Sequence, residues 1–228
     1  MIAPRHILGS FDEALDSLRG NVLMMAGLTE RAFDRAIKGL LERDDDLCAI
    51  AIADDEEIDQ LEKVVDKEGV DLLMKFQPVA SDLRRVVAAM KLSPNIERVA
   101  DQATTVARRA RKLNRHPPLR EVELIEPLYA LAMSMFKDAL DAYVKEDVPL
   151  AMATIPRDEE LDEMNATVQR QLIERMAQDP DQLRGYLNLI FIARCMERVG
   201  DHATNIAEDA VYAAAAEDIR HQPFAEAS

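Results

Sequence analysis

ERVGDHATNIAED at 197–209 has a near copy, ERVADQATTVARR, at 97–109. Between 97–110 and 197–210, eight of fourteen positions are the same: Glu, Arg, Val, Asp, Ala, Thr, Ala and Ala. Two further echoes lie upstream in the same order. DEEIDQLE at 55–62 matches DEELDEMN at 158–165, and RAFDRAIKGLLERDDDL at 31–47 matches SMFKDALDAYVKEDVPL at 134–150, both 103 residues apart. Three segments repeated in one order read as a duplicated unit of about 100 residues, the mark of a fold built twice. The small change in offset fits in one loop.

Each unit reads as three helices. In the first, apolar Val22, Met25, Phe33, Ile37, Leu40 and Leu41 recur at three- and four-residue spacing over about 11–43. Asp44 or Asp46 is placed to cap a second helix that continues to about Phe76. Pro78 marks a turn, and a third helix runs from about Ser81 to Leu113. NRHPPLR at 114–120 breaks the helix through its Pro pair and reads as the linker. The second unit repeats the plan at about 122–145, 148–177 and 182–216, with DPDQ at 179–182 as its turn and Asp179 or Asp181 as its cap. Aromatics are only 4%, Gly and Pro are scarce, and no alternating strand pattern appears. The expected fold is all-α: two tandem antiparallel three-helix bundles related by internal duplication, with six long helices. The bundles span 11–113 and 121–217, with flexible ends at 1–10 and 218–228.

The formal charge of −15, from 43 acidic and 28 basic residues, repels a nucleic-acid backbone and argues against a DNA or RNA reader. Cys48 and Cys195 have no paired spacing and read as small buried side chains in a reducing compartment. The N-terminus lacks the apolar run of a signal peptide, and no stretch of about 18 apolar residues exists to span a membrane. A soluble cytoplasmic protein is expected.

The repeated strings carry the chemistry. On a helix, Glu197, Asp201, Asn205 and Glu208 project from one side, opposite an apolar stripe of Val199, Ala203, Ile206 and Ala210. The first unit offers Glu97, Asp101, Thr105 and Arg108 against Val99, Ala103, Val106 and Ala110. Leu187 and Ile190 extend the side that bears Glu197, so that side is expected to be partly covered. The middle helices carry their own acidic pairs, Asp55 with Asp59 and Asp158 with Asp162. Two such pairs can meet at one point in each bundle. Two unit charges about 6 Å apart at an effective dielectric of 20 repel by roughly 3 kcal/mol. Four acids packed together therefore need protons, arginine partners or a metal. Oxygen-only ligands suit hard ions such as Mg, Mn, Ca or ferric iron. The competing arrangement has Arg98 and Arg198 neutralise the acids in surface ion pairs.

Other features are weaker. Pro94 and Pro156 stand just before acidic residues, and each predicts a kink or a short break, because proline cannot donate to the carbonyl four residues back. RRARK at 108–112, with Arg115, ends the third helix, where cations complement the dipole or meet an acidic partner or membrane surface. His202 reads as exposed helical surface, and the methionines as core. There is no GxxxxGK[ST], GxGxxG or GxSxG motif, no ExxH pair, and no nucleophile beside a base, so nothing argues for an enzyme.

Together, ERVGDHATNIAED, its partial copy, the DEEID and DEELD strings and the duplicated helical layout resemble the PhoU family of phosphate-signalling regulators, over about 11–216. The resemblance implies a cytoplasmic helical adaptor, often a homodimer. Such an adaptor links the ATPase subunit of a phosphate ABC transporter to a sensor histidine kinase and holds the phosphate-starvation regulon off when phosphate is plentiful. It implies membrane association only through those partners, no nucleic acid and no organic cofactor. It also implies metal binding (Fe, Mn or Mg, including multinuclear iron clusters) through E(D)xxxD pairs. Those pairs fall on Asp55 and Asp59, Glu97 and Asp101, Asp158 and Asp162, and Glu197 and Asp201. The first copy departs from the family string at Ala100, Thr105 and Arg108, so its site is expected to bind more weakly or with a different nuclearity. The rival readings are a carboxylate-bridged metal enzyme and a metal-free scaffold. Direct phosphate sensing at a face of four acids requires a metal already in place.

Overall fold

The computed structural model describes residues 4–220, and every regular element among them is helical. α1 (Pro4–Leu41), α3 (Asp55–Phe76) and α4 (Ala80–Leu113) form the first bundle, and α5 (Ile125–Lys145), α7 (Arg157–Gln178) and α8 (Leu183–Ala215) form the second. Two short helices, α2 (Asp45–Ala53) and α6 (Val148–Thr154), precede the middle helices. The expected six long helices are present, but each middle helix is split. Residues 1–3 and 221–228, in the segments read as flexible ends, lie outside the described residues. α1 already begins at Pro4, within the first of those segments.

The core follows the apolar spacing. In α1, Leu15, Leu18, Val22, Met25, Phe33, Ala36, Ile37 and Leu40 are buried. Phe33 and its counterpart Phe136 are both fully enclosed, and each such ring contributes about 1.5–3 kcal/mol by leaving water. The stripes Val99, Ala103, Val106, Ala110 and Val199, Ala203, Ile206, Ala210 face the interior as expected. α1 packs on α4 and α5 on α8, and α4 packs on α8 about as extensively, so one continuous core joins the halves. Lys91 meets Asp209, whereas Arg109 meets Phe191. Residue numbers rise along α4 as they fall along α8, so the two run antiparallel. No helix of the described residues is long and apolar enough to cross a membrane.

The helix ends correct several expectations. Asp44 caps α2, its carboxylate accepting from the amides of Asp46 and Leu47. The chain then breaks at Asp54, with neither Pro nor Gly to announce it. Asp54 is locked by an ion pair with Arg35. In the second half the break falls at Pro156, as expected, between α6 and α7. At Pro94 the expected break is absent, and α4 continues through it. One missing hydrogen bond does not open a helix packed on α1, α3 and α8, and the Asn95 side chain donates to the Lys91 carbonyl beside it. Neither Asp179 nor Asp181 caps α8. Pro180–Gln182 form a 3₁₀ turn instead, with Gln182 at the cap position and no side-chain cap bond. Cys48 and Cys195 are buried and unpaired, and burial pushes both thiols up to about 11.

Candidate metal centres

In the second half, α7 and α8 present Asp158, Asp162, Glu197 and Asp201 to one another. The acids interact strongly. Burial first, then the charges of Asp201, Asp162 and Glu197, pushes Asp158 up to about 6. Burial and Asp162 likewise raise Glu197 and Asp201 above the ordinary carboxylate range, with Arg198 opposing both shifts. Asp158 Oδ1 is buried without a hydrogen-bond partner, and so are Asn165 Oδ1 and Thr204 Oγ1. An orphaned buried oxygen costs about 1–3 kcal/mol, more when charged. The close approach is set by Gly200, where a Cβ would stand 2.6 Å from Asp158 Oδ1 and 2.6 Å from Leu161 Cδ2. Asn165 donates a hydrogen bond to Glu197 Oε2 and holds that carboxylate in place.

The first half assembles Asp55, Asp59, Glu97 and Asp101 between α3 and α4, with differences. Glu62 joins the cluster, making five acids. Burial first, then Asp101, pushes Glu97 up to about 7, with Glu62 and Asp59 adding to the rise. Burial also raises Asp55, which accepts a hydrogen bond from Thr104 and feels Arg108. Glu62 is raised by burial, then by Asp66 and Asp59. Arg98 folds back on the cluster, with Nε 3.4 Å from Glu97 and Nη1 3.4 Å from Asp101. The competing arrangement of surface ion pairs is thus partly realised in this half.

All eight expected residues therefore sit in two clusters of four, one per bundle. Their chemistry fits a hard cation, because every donor is oxygen, the acids repel one another, and one buried carboxylate oxygen lacks any partner. Among the described residues, no three His, Cys, Asp or Glu side chains stand close enough together to hold one ion.

Other expectations shift. Asn205 does not reach toward Glu197 and Asp201; its side chain turns to α4 and donates to Asn95 Oδ1 across 3.4 Å. Glu208 lies with Lys91, Tyr212, Asp218 and Arg220, away from the acids. Its first-half counterpart Arg108 sits beside Ile52 of α2. His202 is half-buried rather than exposed, with Nδ1 3.0 Å from Asn95 Oδ1. Leu187 is exposed while Ile190 is half-buried against the core, so the side of α8 that continues from Glu197 is covered only in part. Three members of the clusters were not singled out by spacing: Glu62, its counterpart Asn165, and Thr104, which donates to Asp55. Glu62 and Asn165 lie three residues beyond Asp59 and Asp162, on the same helix face.

Comparison with known proteins places these features. The family model described as PhoU domain matches residues 22–110 and 125–210. The chain is 36% identical over 218 residues to the phosphate-specific transport system accessory protein PhoU homolog of Pseudomonas putida, spanning 95% of this chain and 85% of that one. It is 32% identical over 219 residues to the phosphate-specific transport system accessory protein PhoU of Escherichia coli, spanning 95% and 90%. The crystal structure of PhoU from Pseudomonas aeruginosa superposes with a TM-score of 0.87 at 34% identity, covering 91% of this chain and 100% of that one. The Streptococcus pneumoniae PhoU structure shares the fold, with a TM-score of 0.83 at 24% identity, covering 91% and 98%.

Proposed function

The chain belongs to the PhoU family, and from that membership we propose that it regulates phosphate uptake as a cytoplasmic accessory protein rather than as an enzyme. The relatives' names, accessory proteins of a phosphate-specific transport system, support this reading. In the finer form of the proposal, the protein is an adaptor. It contacts the ATPase subunit of a phosphate ABC transporter and a sensor histidine kinase, and restrains the phosphate-starvation response while phosphate is abundant. Removing the gene should raise starvation-gene expression at high phosphate, and restoring it should reverse the rise. Capture with tagged protein at high and low phosphate tests the two partners. Unchanged expression would end the regulatory reading.

The acid clusters are the protein's metal sites in this proposal. Asp158, Asp162, Glu197 and Asp201 hold the ion of the second half, and Asp55, Asp59, Glu97 and Asp101 that of the first. A bound Fe, Mn or Mg ion would supply positive charge that pins α7 to α8 and α3 to α4. The observation that carries this is the buried, unpartnered Asp158 Oδ1 among three other acids. Glu97, already paired with Arg98, is expected to release its ion more readily. Elemental analysis of protein purified without chelator tests the assignment. Glu197→Ala with Asp201→Ala should lower the metal content, and an unchanged content would refute the second site.

A further inference from the structure

α4 and α8 are copies of one helix packed antiparallel, so each contact across their seam has a counterpart in which the halves exchange roles. At one end the seam is neutralised. Lys91 Nζ lies 2.8 Å from Asp209 Oδ1, and Asn95 Oδ1 meets His202 and Asn205. At the other end the counterparts of Lys91 and Asp209 are Phe191 and Arg109. A guanidinium stacked 3.9 Å above a ring replaces the ion pair, and its charge has no acid to match it. Pro94 and Asn95 have as counterparts Arg194 and Cys195, which add a second cation and remove the bridging carboxamide.

Arg98 and Arg198 make the contrast sharper. Both stand in the same Glu-Arg-Val setting. Arg98 pairs with Glu97 and Asp101, while Arg198 forms no ion pair with Glu197 or Asp201 and lines a cleft with Arg109, Arg194, Thr105, Phe191 and Cys195. Among the described residues none of Arg109, Arg194 and Arg198 forms an ion pair. Arg109 is anchored by Phe191 and by its Nη1 donating to Asn188 Oδ1 at 3.2 Å, while its Nε is buried without a partner. Like charges four apart on α8 cost a few tenths of a kcal/mol, and this chain carries a net charge of −15 with many acids available to cancel them.

We infer that this cleft binds a small tetrahedral oxyanion, held by the guanidinium groups of Arg109, Arg194 and Arg198 with the Thr105 hydroxyl as a further donor. The cleft is about 210 Å³, against roughly 30 Å³ for one water in the liquid, so a phosphate or sulfate ion fits with residual water. The polar side chains offered are chiefly donors, and planar guanidinium groups match oxyanions in two-point contacts. A donor-lined cleft does not sort phosphate from sulfate, so both bind alike. The site spans both halves, uses no metal ligand, and needs no metal. It therefore stands or falls apart from the regulatory reading and from the acid clusters.

Isothermal titration of the full chain, stripped of metal and transferred to chelator-free, low-salt buffer, tests this with inorganic phosphate, sulfate and O-phosphoserine. Saturable binding of phosphate and sulfate is expected. Arg194→Gln with Arg198→Gln, two exposed positions, should weaken it at least about tenfold while circular dichroism stays unchanged. Arg111→Gln with Arg115→Gln, at the basic C-terminal end of α4 and just beyond it, should leave the affinity in place. Absence of saturable heat in the unmodified protein would overturn the inference. Equal weakening by both pairs would also overturn it, because that is a diffuse basic field and not a site. Tighter binding of phosphoserine, by about tenfold or more, would replace the free ion with a covalently carried phosphate group as the occupant.

Discussion

The two halves share a plan and differ where it matters. Phe33 and Phe136, buried at corresponding places, fill equivalent parts of the two bundles. Around the acids, matching positions diverge. Ala100 faces Gly200, Glu62 faces Asn165, and Thr104 donates to Asp55 whereas Thr204 has no partner. The first cluster has more acid and relieves it within the protein, through Arg98, Arg108 and Thr104. The second has one acid fewer, a tighter helix approach and a carboxylate oxygen left without a partner. A duplicated fold thus keeps its core by volume, while its polar sites drift through single exchanges that the core does not feel. The first cluster is partly paired by Arg98, and the second keeps a buried carboxylate oxygen without a partner.

The sharpest way to break this comparison is at Gly200. Replacing Gly by Ala inside a helix ordinarily stabilises by about 0.8–1 kcal/mol. Here the new Cβ meets Asp158 Oδ1 and Leu161 Cδ2 at 2.6 Å, and Leu161 is fully buried, so α7 must move away. Gly200→Ala is expected to lose about 1–3 kcal/mol from overpacking before that gain, which lowers the melting temperature by a few degrees and reduces metal retention. Ala100→Gly in the first half should cost the helix term, about 1 kcal/mol, plus roughly 1 kcal/mol for its buried methyl. A Gly200→Ala protein that melts higher than the parent would show that the two helix pairs are equally spaced.

The duplication made the fold legible, because the repeat, offset by 103 residues over the first two helices and by 100 over the third, fixed three helices twice over. The break before Asp158 was legible through Pro156. The matching break before Asp55 was not, because Ala53 and Asp54 carry no breaker and the turn is held by Arg35 from α1. The eight acids were legible by spacing. The opposite fates of Arg98 and Arg198 could not be read from their identical Glu-Arg-Val settings. Their surroundings differ: Arg198 lines a cleft with Arg109 across the seam and Arg194 one turn back on its own helix, where the other half has Asp209 and Pro94. Local sequence sets which face a side chain leaves from, and its partner is decided by tertiary packing.

The pH response should be smaller, and it distinguishes strained acids from solvated ones. Unfolded, Glu97 and Asp158 titrate near 4.5 and 3.8; folded, they titrate near 7 and 6. The unfolded chain therefore binds fewer protons between those limits, and the stability of the metal-free protein falls as pH rises from about 4 to about 7. His202, pushed down by burial, works in the opposite sense near its ordinary value, so the test is a difference. Melting temperatures of metal-stripped parent and Asp158→Asn should converge near pH 4.5, with the variant the more stable by pH 7. Added Mn²⁺ should raise the parent more than the variant at pH 7. Parallel curves for the two proteins would mean that Asp158 is as free to ionise as an acid in water.

The smallest expected effect comes from an ion pair that the halves hold in opposite polarity. Arg35 of α1 pairs with Asp54, and at the corresponding positions Asp138 of α5 pairs with Arg157 at 2.6 Å. Both pairs tie the first helix of a bundle to the start of its middle helix, so polarity has been exchanged while the tie has stayed. If the tie is what matters, Arg35→Asp together with Asp54→Arg should restore most of what either change loses. Each single change places like charges together at a partly exposed site, for a loss of about 1 kcal/mol. The double variant should recover all but about 0.3–1 kcal/mol. That residue arises because Asp54 adjoins the N-terminus of α3, where the helix dipole favours an acid over the arginine that replaces it. A double-mutant cycle on melting midpoints measures the coupling directly. Coupling near zero would make the exchanged pair an accident of the surface; a double variant more stable than the parent would leave the dipole without influence at that junction.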